Sequence, residues 1–479
     1  MHPDRLPAVS GRSVNRRRFL CLIGLGAGAS LLVACQQGGS TAAPTTAPAA
    51  KPTTAPAGGG GATQPTSQAP AQAQGNAALS GDITHWGWAG SLDMLKDNLA
   101  LFNQAYPNVK VNLVEMASND VRDKLLVSLA AGTGALDSSG LQDRFIPLLI
   151  DKGGLVDLTD RVSEFKDKFA QYKWSAYADE KGRYYAMPWD SSPMGMHYRF
   201  DIWEADGLET DPDRLADKVQ TYDNLIELAK GLKGDHKLMT LSTNQSLNRT
   251  NSDDFIEGLL IQNEAHMFDE SGKVRDPNPR AIEVLKLLKR MADSGVTMDL
   301  GRDDAAPWGQ AVKDGRITGE PNAVWAMTFI LPAAPETKGK WHVFKLPVLE
   351  KGGKRSSLNG GSAVFVTEQS KNKDAAFAFI QFMMTNVPVL ANGWTKRQIF
   401  PAYLPAFDDP AFNQPDPNFG GQISAKFFSG VLSEVPPMTY TSHYLDAHGD
   451  ALDAVTAMFK GKAPEEAWAE AMARAKRST

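Results

Sequence analysis

The sequence predicts an α/β body built on a doubly wound, mainly parallel sheet. Three observations lead there. Beyond residue 80, strand and helix patterns alternate in β-α-β-α order. The composition breaks sharply at that point, separating a low-complexity leader from a patterned body. The length of 479 residues fits two or three compact units at roughly 150 residues each. Asp82-Ile83-Thr84-His85-Trp86 reads as the first strand, and Ser91 precedes a helix whose Leu92, Leu95, Leu99 and Phe102 follow the 3–4 residue apolar period. Tyr106-Pro107 ends that helix. Val109, Val111 and Leu113 alternate with Lys110 and Asn112 as a second strand, and a second helix runs through Val121, Leu125 and Leu129 to Gly132.

Later segments repeat this grammar. Pro279 opens a helix with Ile282, Leu285, Leu288 and Met291 on one face, closed at Gly295. Strand Ala363 to Val366 precedes a helix through Ala375, Phe379, Phe382 and Met383. The last helix starts at Pro464, with Glu465 and Glu466 in its first turn and Arg474, Lys476 and Arg477 near its end, charges that complement the helix dipole. Trp468 and Met472 face inward from it. Asp179-Glu180-Lys181-Gly182 and Asp269-Glu270-Ser271-Gly272 read as hairpin turns.

Ahead of the body stands an address. Arg16, Arg17 and Arg18 precede an apolar run from Phe19 to Val33, the layout of a secretory signal over residues 1–34. Arg16-Arg17-Arg18-Phe19-Leu20 resembles the twin-arginine export signature, with the general secretory route as the alternative. Leu32-Val33-Ala34-Cys35 resembles the bacterial lipobox, which implies an acylated Cys35 as the first mature residue and anchoring to the outer face of the cytoplasmic membrane. Residues 35–80 are rich in Ala-Pro, Thr, Gly and Gln, with no aromatic residue and one charge, Lys51. Such a segment buries too little apolar surface to offset its ordering entropy, so it is expected to be a disordered tether spanning about 35–40 Å.

Composition narrows the function. Net charge is −5, with 22% charged and 42% hydrophobic residues, which lacks the basic footprint of a nucleic-acid binder. The only cysteines, Cys21 and Cys35, lie in the leader, so the body holds neither a disulfide nor a cysteine-ligated metal. No window of about 18 apolar residues follows the N-terminus, as a membrane-spanning helix would require. The sequence contains no Gly-x-x-x-x-Gly-Lys-Ser/Thr loop, His-Glu-x-x-His, Gly-x-Ser-x-Gly elbow or EF-hand loop. The histidines show no metal spacing, and His197 and His443 read as structural or solvated. The expectation is a binding protein without cofactor or metal. A glycosidase, which needs only two placed carboxylates, is the rival enzyme reading.

Phe102-Asn103-Gln104-Ala105-Tyr106-Pro107-Asn108-Val109-Lys110-Val111 resembles the N-terminal helix–strand signature of the extracellular solute-binding proteins, family 1, which deliver sugars to ABC importers. Lys124 to Gly132, Gly154-Leu155-Val156-Asp157-Leu158, Gly182 to Pro188, Ser370 to Ala376 and Ala463-Pro464-Glu465-Glu466-Ala467 extend the match along residues 81–479. The resemblance implies a two-lobed fold, each lobe a mainly parallel sheet flanked by helices, joined by a hinge with ligand held between. On that pattern the first lobe takes residues 81–188 and 362–405, and the second 189–361 and 406–479. The implied partners are a carbohydrate ligand and the permease subunits of an ABC importer, with a monomeric receptor. Two departures, Leu136-Asp137-Ser138 for Pro-Asp-Val and His197-Tyr198-Arg199 for Tyr-Asn, leave the ligand undetermined. A glycerol-phosphate or polyamine binder of the same fold is the alternative.

A sugar offers hydroxyls in a fixed array and one apolar ring face, so its receptor needs stacking aromatics beside planar hydrogen-bonding groups. Trp88 and Trp189 are the stacking candidates, with Asp190 beside Trp189 at the implied first hinge crossing; Trp86 reads as core. Asp143-Arg144-Phe145 resembles a segment of maltodextrin-binding proteins where the charged pair touches sugar hydroxyls, against the alternative of an ion pair at a helix N-terminus. Asn359 and Gly360, with Gly361, precede the implied second crossing, or form a plain turn. Trp394, Tyr403, Tyr440 and Tyr444 are expected on loops that close over the cleft, against ordinary packing. Trp325 is expected in a buried strand.

Overall fold

The computed structural model describes residues 75–134, 136–244, 254–302 and 304–479, all within the unit Gln68–Thr479. Cys35, the signal of residues 1–34 and most of the expected tether lie outside the described residues. Order begins ahead of Gly81, contrary to a tether running to residue 80. The Leu79 amide donates to the Asn76 carbonyl at 3.2 Å, Asn108 Nδ2 donates to the Ala77 carbonyl at 2.8 Å, and the first strand opens at Ser80.

Ten strands run in chain order among the described residues: β1 (Ser80–Gly87), β2 (Asn108–Glu115), β3 (Ser138–Gln142), β4 (Met187–Pro188), β5 (Met194–Arg199), β6 (Met239–Thr240), β7 (Thr297–Met298), β8 (Gly319–Ala323), β9 (Trp341–Phe344) and β10 (Ser362–Val366). The first lobe is a five-stranded sheet in the order β2-β1-β3-β10-β4. β1 pairs in parallel with β2, from Ser80 opposite Asn108 to Gly87 opposite Glu115, and in parallel with β3; β10 is antiparallel to both β3 and β4. The second lobe carries the order β8-β5-β9, antiparallel throughout, beside a short parallel β6-β7 pair. The first lobe's sheet is therefore mixed in pairing and the second lobe's three-stranded sheet antiparallel, and a mainly parallel sheet in each lobe is not what forms. The reason is the path of the chain. β4 and β10 run opposite ways because they lead out of and back into the first lobe, and β5 starts the second lobe as an extension of the outgoing crossing.

The expected helices form close to their sequence bounds. Helix Ala89–Ala105 buries Leu92, Leu95 and Phe102, and Ser118–Ala131 ends on Gly132 in the left-handed region at φ 68°. The first begins ahead of Ser91: Trp88 occupies the N-cap and Ser91 Oγ donates to its carbonyl at 2.8 Å. Pro279–Asp293, Lys373–Thr385 and Pro464–Ser478 match their patterns, with Trp468 and Met472 buried. The turns at Asp179–Gly182 and Asp269–Gly272 are each closed by a glycine amide donating to the aspartate carbonyl at 2.9 Å. Phe102 meets Phe379 edge-on at 5.2 Å, which locks the helix after β1 to the helix after β10 across the first lobe's core. His85 lies beneath them, and burial lowers its pKa to about 3, so it is a neutral core residue. Trp86 points to the opposite face, half-buried, with Lys124 Nζ 6.0 Å above its ring. His197 is likewise buried and His443 exposed.

Three chain segments cross between the lobes side by side. Asp190 bridges Pro401 and Pro193 bridges Leu358, both antiparallel, and the Ser191 amide donates to the Phe400 carbonyl at 2.8 Å. Among the described residues no single helix is long and apolar enough to cross a membrane. The apolar pair Lys373–Thr385 and Val387–Arg397 bends by 65° and packs in the first lobe.

Candidate functional site

A cleft of about 560 Å³ opens where the crossings run, a volume suited to a small organic ligand. Trp88 stands in its first-lobe wall at the carboxyl end of β1, where doubly wound sheets place ligands. Trp189 follows β4 on the outgoing crossing. The two indoles meet at 5.7 Å between centroids with a 36° tilt, yet their roles differ: Trp88 is half-buried, whereas Trp189 is only 2% exposed. Gly140 of β3 makes room for Trp189, because a Cβ there would lie 2.8 Å from the indole. The opposite wall comes from the second lobe. Trp325 and Phe329 are both half-buried, one helical turn apart on the segment that follows β8, with centroids 5.7 Å apart. The Trp325 Nε1 donates to the Asn359 carbonyl at 3.2 Å, which fixes its ring against the crossing.

The cleft carries charges of both signs, and its carboxylates are held. Asp143, at the end of β3, pairs with Lys173 and accepts from the Tyr177 hydroxyl at 2.7 Å. Burial pushes the Asp143 carboxyl above its ordinary range, while the Lys173 ammonium and the Tyr177 hydroxyl pull the other way. Gly361, at φ 104°, lies over that pair; a Cβ would come within 2.5 Å of Lys173 Nζ and 2.6 Å of Asp143 Oδ2. Asp190 accepts from the Ser362 amide at 2.6 Å, and burial pushes its pKa up to about 6. Asp254 pairs with Arg302, and Glu257 accepts from the Tyr444 hydroxyl. Arg397 is taken by Asp97 at 2.9 Å.

Among the described residues, four buried polar atoms of the cleft lining have no partner: Trp189 Nε1, Arg302 Nη1, Gln142 Oε1 and Gln398 Oε1. Gln398 reaches its place in the left-handed conformation at φ 57°, ending helix Val387–Arg397. Two donors and two acceptors left unmade in a buried site represent free energy that a bound ligand can recover. Among the described residues no group of three or more His, Cys, Asp or Glu side chains could hold a metal ion.

Residues 99–420 match the family of bacterial extracellular solute-binding proteins. The chain belongs to that family. Its relatives include the lactose-binding protein of Rhizobium radiobacter, 28% identical over 76% of this chain and 85% of the other. The arabinooligosaccharide-binding protein of Halalkalibacterium halodurans is 25% identical over 73% of this chain and 78% of its own. Among solved structures, the ABC transporter associated binding protein from B. animalis subsp. lactis in complex with β-1,6-galactobiose superposes with a TM-score of 0.64, at 22% identity over 83% of this chain and 96% of that one. That likeness carries the two-lobed fold. A solute-binding protein of this family acts outside the cytoplasm.

In this solute-binding protein Trp88, Asp143, Arg144, Trp189, Asp190, Asn359, Gly360 and Tyr440 all line the cleft. Asp143 is turned to Lys173 and Tyr177, and Arg144 lies 5.5 Å over the Phe145 ring. Trp394 and Tyr444 do not line it. Trp394 sits on a helix, 5% exposed, stacked at 6.1 Å on Phe412, because its segment continues the apolar face that packs under the crossing. Tyr444 is fully buried at a helix start and supports Glu257 from behind. Tyr403 packs on Phe169 at 5.1 Å. Trp325 is a wall residue in a short helical turn, not a buried strand residue. Gln142, Asp254, Glu257, Arg302, Phe329 and Gln398 also line the cleft and stand in the sequence without a motif; the aromatic spacing of Trp325 and Phe329 was the one available signal.

Proposed function

We propose that this solute-binding protein captures a carbohydrate between its lobes, closes on it about the three crossings and delivers it to the permease of an ABC importer. The observation that carries this reading is the set of unpartnered donors and acceptors at Trp189, Arg302, Gln142 and Gln398, in a cleft also lined by the half-buried indoles of Trp88 and Trp325. A hydroxyl both donates and accepts, and a sugar ring has an apolar face, so one ligand class answers both features. The held carboxylates argue against a polyamine, and the Asp97 partner of Arg397 against a phosphate. The saccharides named for its relatives support the same class. On this reading the first lobe takes residues 81–188, extended at its start to include Ser80 of β1, and 362–405, the second takes 189–361 and 406–479, and the receptor works as a monomer.

Calorimetric titration with lactose, arabinooligosaccharides and β-1,6-galactobiose, beside glycerol phosphate and spermidine, tests it. Binding of a saccharide with a smaller radius of gyration by X-ray scattering at saturation is expected, because a cleft ligand touches both lobes only when they close, a motion for which periplasmic binding proteins as a class are the established example. Binding confined to glycerol phosphate or spermidine would overturn the assignment.

The same reading makes Cys35 the acylated first residue of the mature chain. One acyl chain holds a protein only marginally at about 0.8 kcal/mol per buried CH₂, whereas a diacylated cysteine anchors it stably. Cys35→Ala is expected to move the protein to the soluble fraction or to block processing. A variant with its signal removed that still partitions with membranes contradicts the anchor.

A further inference from the structure

Arg302 is the cleft residue whose environment most constrains what can bind. Its guanidinium lies over the Phe329 ring at 4.2 Å and pairs with Asp254, and both side chains are 14% exposed. Phe329 is itself packed against Trp308 at 5.6 Å and Trp325 at 5.7 Å, so the stacked guanidinium has little freedom. Asp254 is held in turn by Asn322, whose Nδ2 lies 3.3 Å from Asp254 Oδ2 and 3.0 Å from Glu320 Oε1. Asn322 Oδ1 accepts from Asn359 Nδ2 at 2.9 Å, which ties the group to the crossing. Only Nη1 of Arg302 is left buried without a partner.

Resting on the carbohydrate reading, we infer that Arg302 is a specificity-determining residue that donates from Nη1 to an uncharged hydroxyl of the ligand and discriminates against acidic sugars. An unpaired arginine would attract a carboxylate, but the charge of this one is already answered by Asp254, with Glu257 in the same wall and Glu320 behind. An incoming uronate would meet the Asp254 and Glu257 carboxylates beside this guanidinium and would bear the desolvation of its own charge. A neutral hydroxyl supplies the missing acceptor without that cost. Phe329, with one face covered by Arg302, serves as the platform of the guanidinium, which leaves Trp325 as the second lobe's stacking ring.

The test has two arms. In the unaltered protein, neutral disaccharides are titrated against a disaccharide of galacturonate; in Arg302→Met, the same neutral ligands are titrated beside melting curves of the unliganded protein. Loss of a charge-assisted hydrogen bond predicts roughly 10- to 100-fold weaker binding of the neutral ligand by the variant, and the unaltered protein is expected to prefer the neutral disaccharides. Neutral-ligand affinity retained within about twofold in Arg302→Met, or preference of the unaltered protein for the uronate, overturns this inference while leaving the carbohydrate reading in place. If the variant does not fold, single-deoxy analogues titrated into the unaltered protein decide: one hydroxyl whose removal costs the same factor supports the contact, and a uniform small loss at every hydroxyl overturns it. Binding of no saccharide by the unaltered protein removes both readings together.

Discussion

Replacing Lys173 by methionine is expected to destabilise the unliganded protein by about 3–5 kcal/mol, the usual cost of removing one partner from a buried ion pair. Lys173 has a side-chain exposure of 0% and Asp143 of 3%, so the stranded carboxyl keeps the Tyr177 hydroxyl and has almost no access to water. It must either stay charged in a poor medium or take up a proton. The pair also lies under Gly361, and Lys173 Nζ is 3.5 Å from the Ser362 carbonyl, so the incoming crossing loses support as well. Denaturant titration measures the loss, and the double variant Lys173→Met with Asp143→Asn supplies the control. With no charge left to strand, the double variant is expected to recover a substantial part of the loss. A single variant within about 1 kcal/mol of the unaltered protein, or a double variant no better than the single, would show that the pair is not buried as described.

The second large effect separates the two first-lobe indoles. Trp189→Ala removes a 2% exposed side chain wedged between Gly140 and Trp88, and is expected to cost ~3–5 kcal/mol of folding stability together with ligand affinity. Trp88→Ala removes a half-buried ring facing the cleft, and is expected to lower affinity by roughly 2–3 kcal/mol, about 30- to 150-fold, with a much smaller change in melting. The measurements are melting of the unliganded variants and calorimetry with a saccharide that the unaltered protein binds. A Trp189→Ala protein that melts normally, or a Trp88→Ala protein with unchanged affinity, contradicts the division of roles.

That division was not legible in the sequence, where both residues are tryptophans at strand ends. What distinguishes them is β3. Ser138-Ser139-Gly140-Leu141-Gln142 has neither alternation nor β-branched residues, and local propensity does not mark it as a strand. It forms because it fills the centre of the sheet, between β1 and β10, where Ser138 Oγ lies 2.9 Å from His85 Nδ1 and Ser139 Oγ donates to the Trp86 carbonyl at 3.0 Å. Once there, its glycine is the only residue that lets Trp189 sink. The antiparallel sheet of the second lobe was hidden for a related reason: β5, β8 and β9 are short and drawn from distant stretches, and every residue of β5 is buried, so no polar alternation marks it.

Periodicity acts between residues a few positions apart, and where it was strong it sufficed. The apolar spacing of Leu92, Leu95 and Phe102, the alternation of β2, the proline-opened helices at Pro279 and Pro464 and the glycine stop at Gly132 each specify their element by local sterics and one-sided burial. The family resemblance likewise rests on motifs read in the sequence. The binding face has no such local cause. Arg302, Asp254 and Gln398 are isolated polar residues, and they meet Trp88 and Trp189 only because three crossings bring two lobes together. Trp394 shows the converse: at a loop-like Gly-Trp-Thr it resembles a cleft residue, yet the apolar side of its helix draws it into the core. Whether an aromatic or a charge faces ligand or core depends on which distant surface covers it, and that is settled by burial across the whole chain.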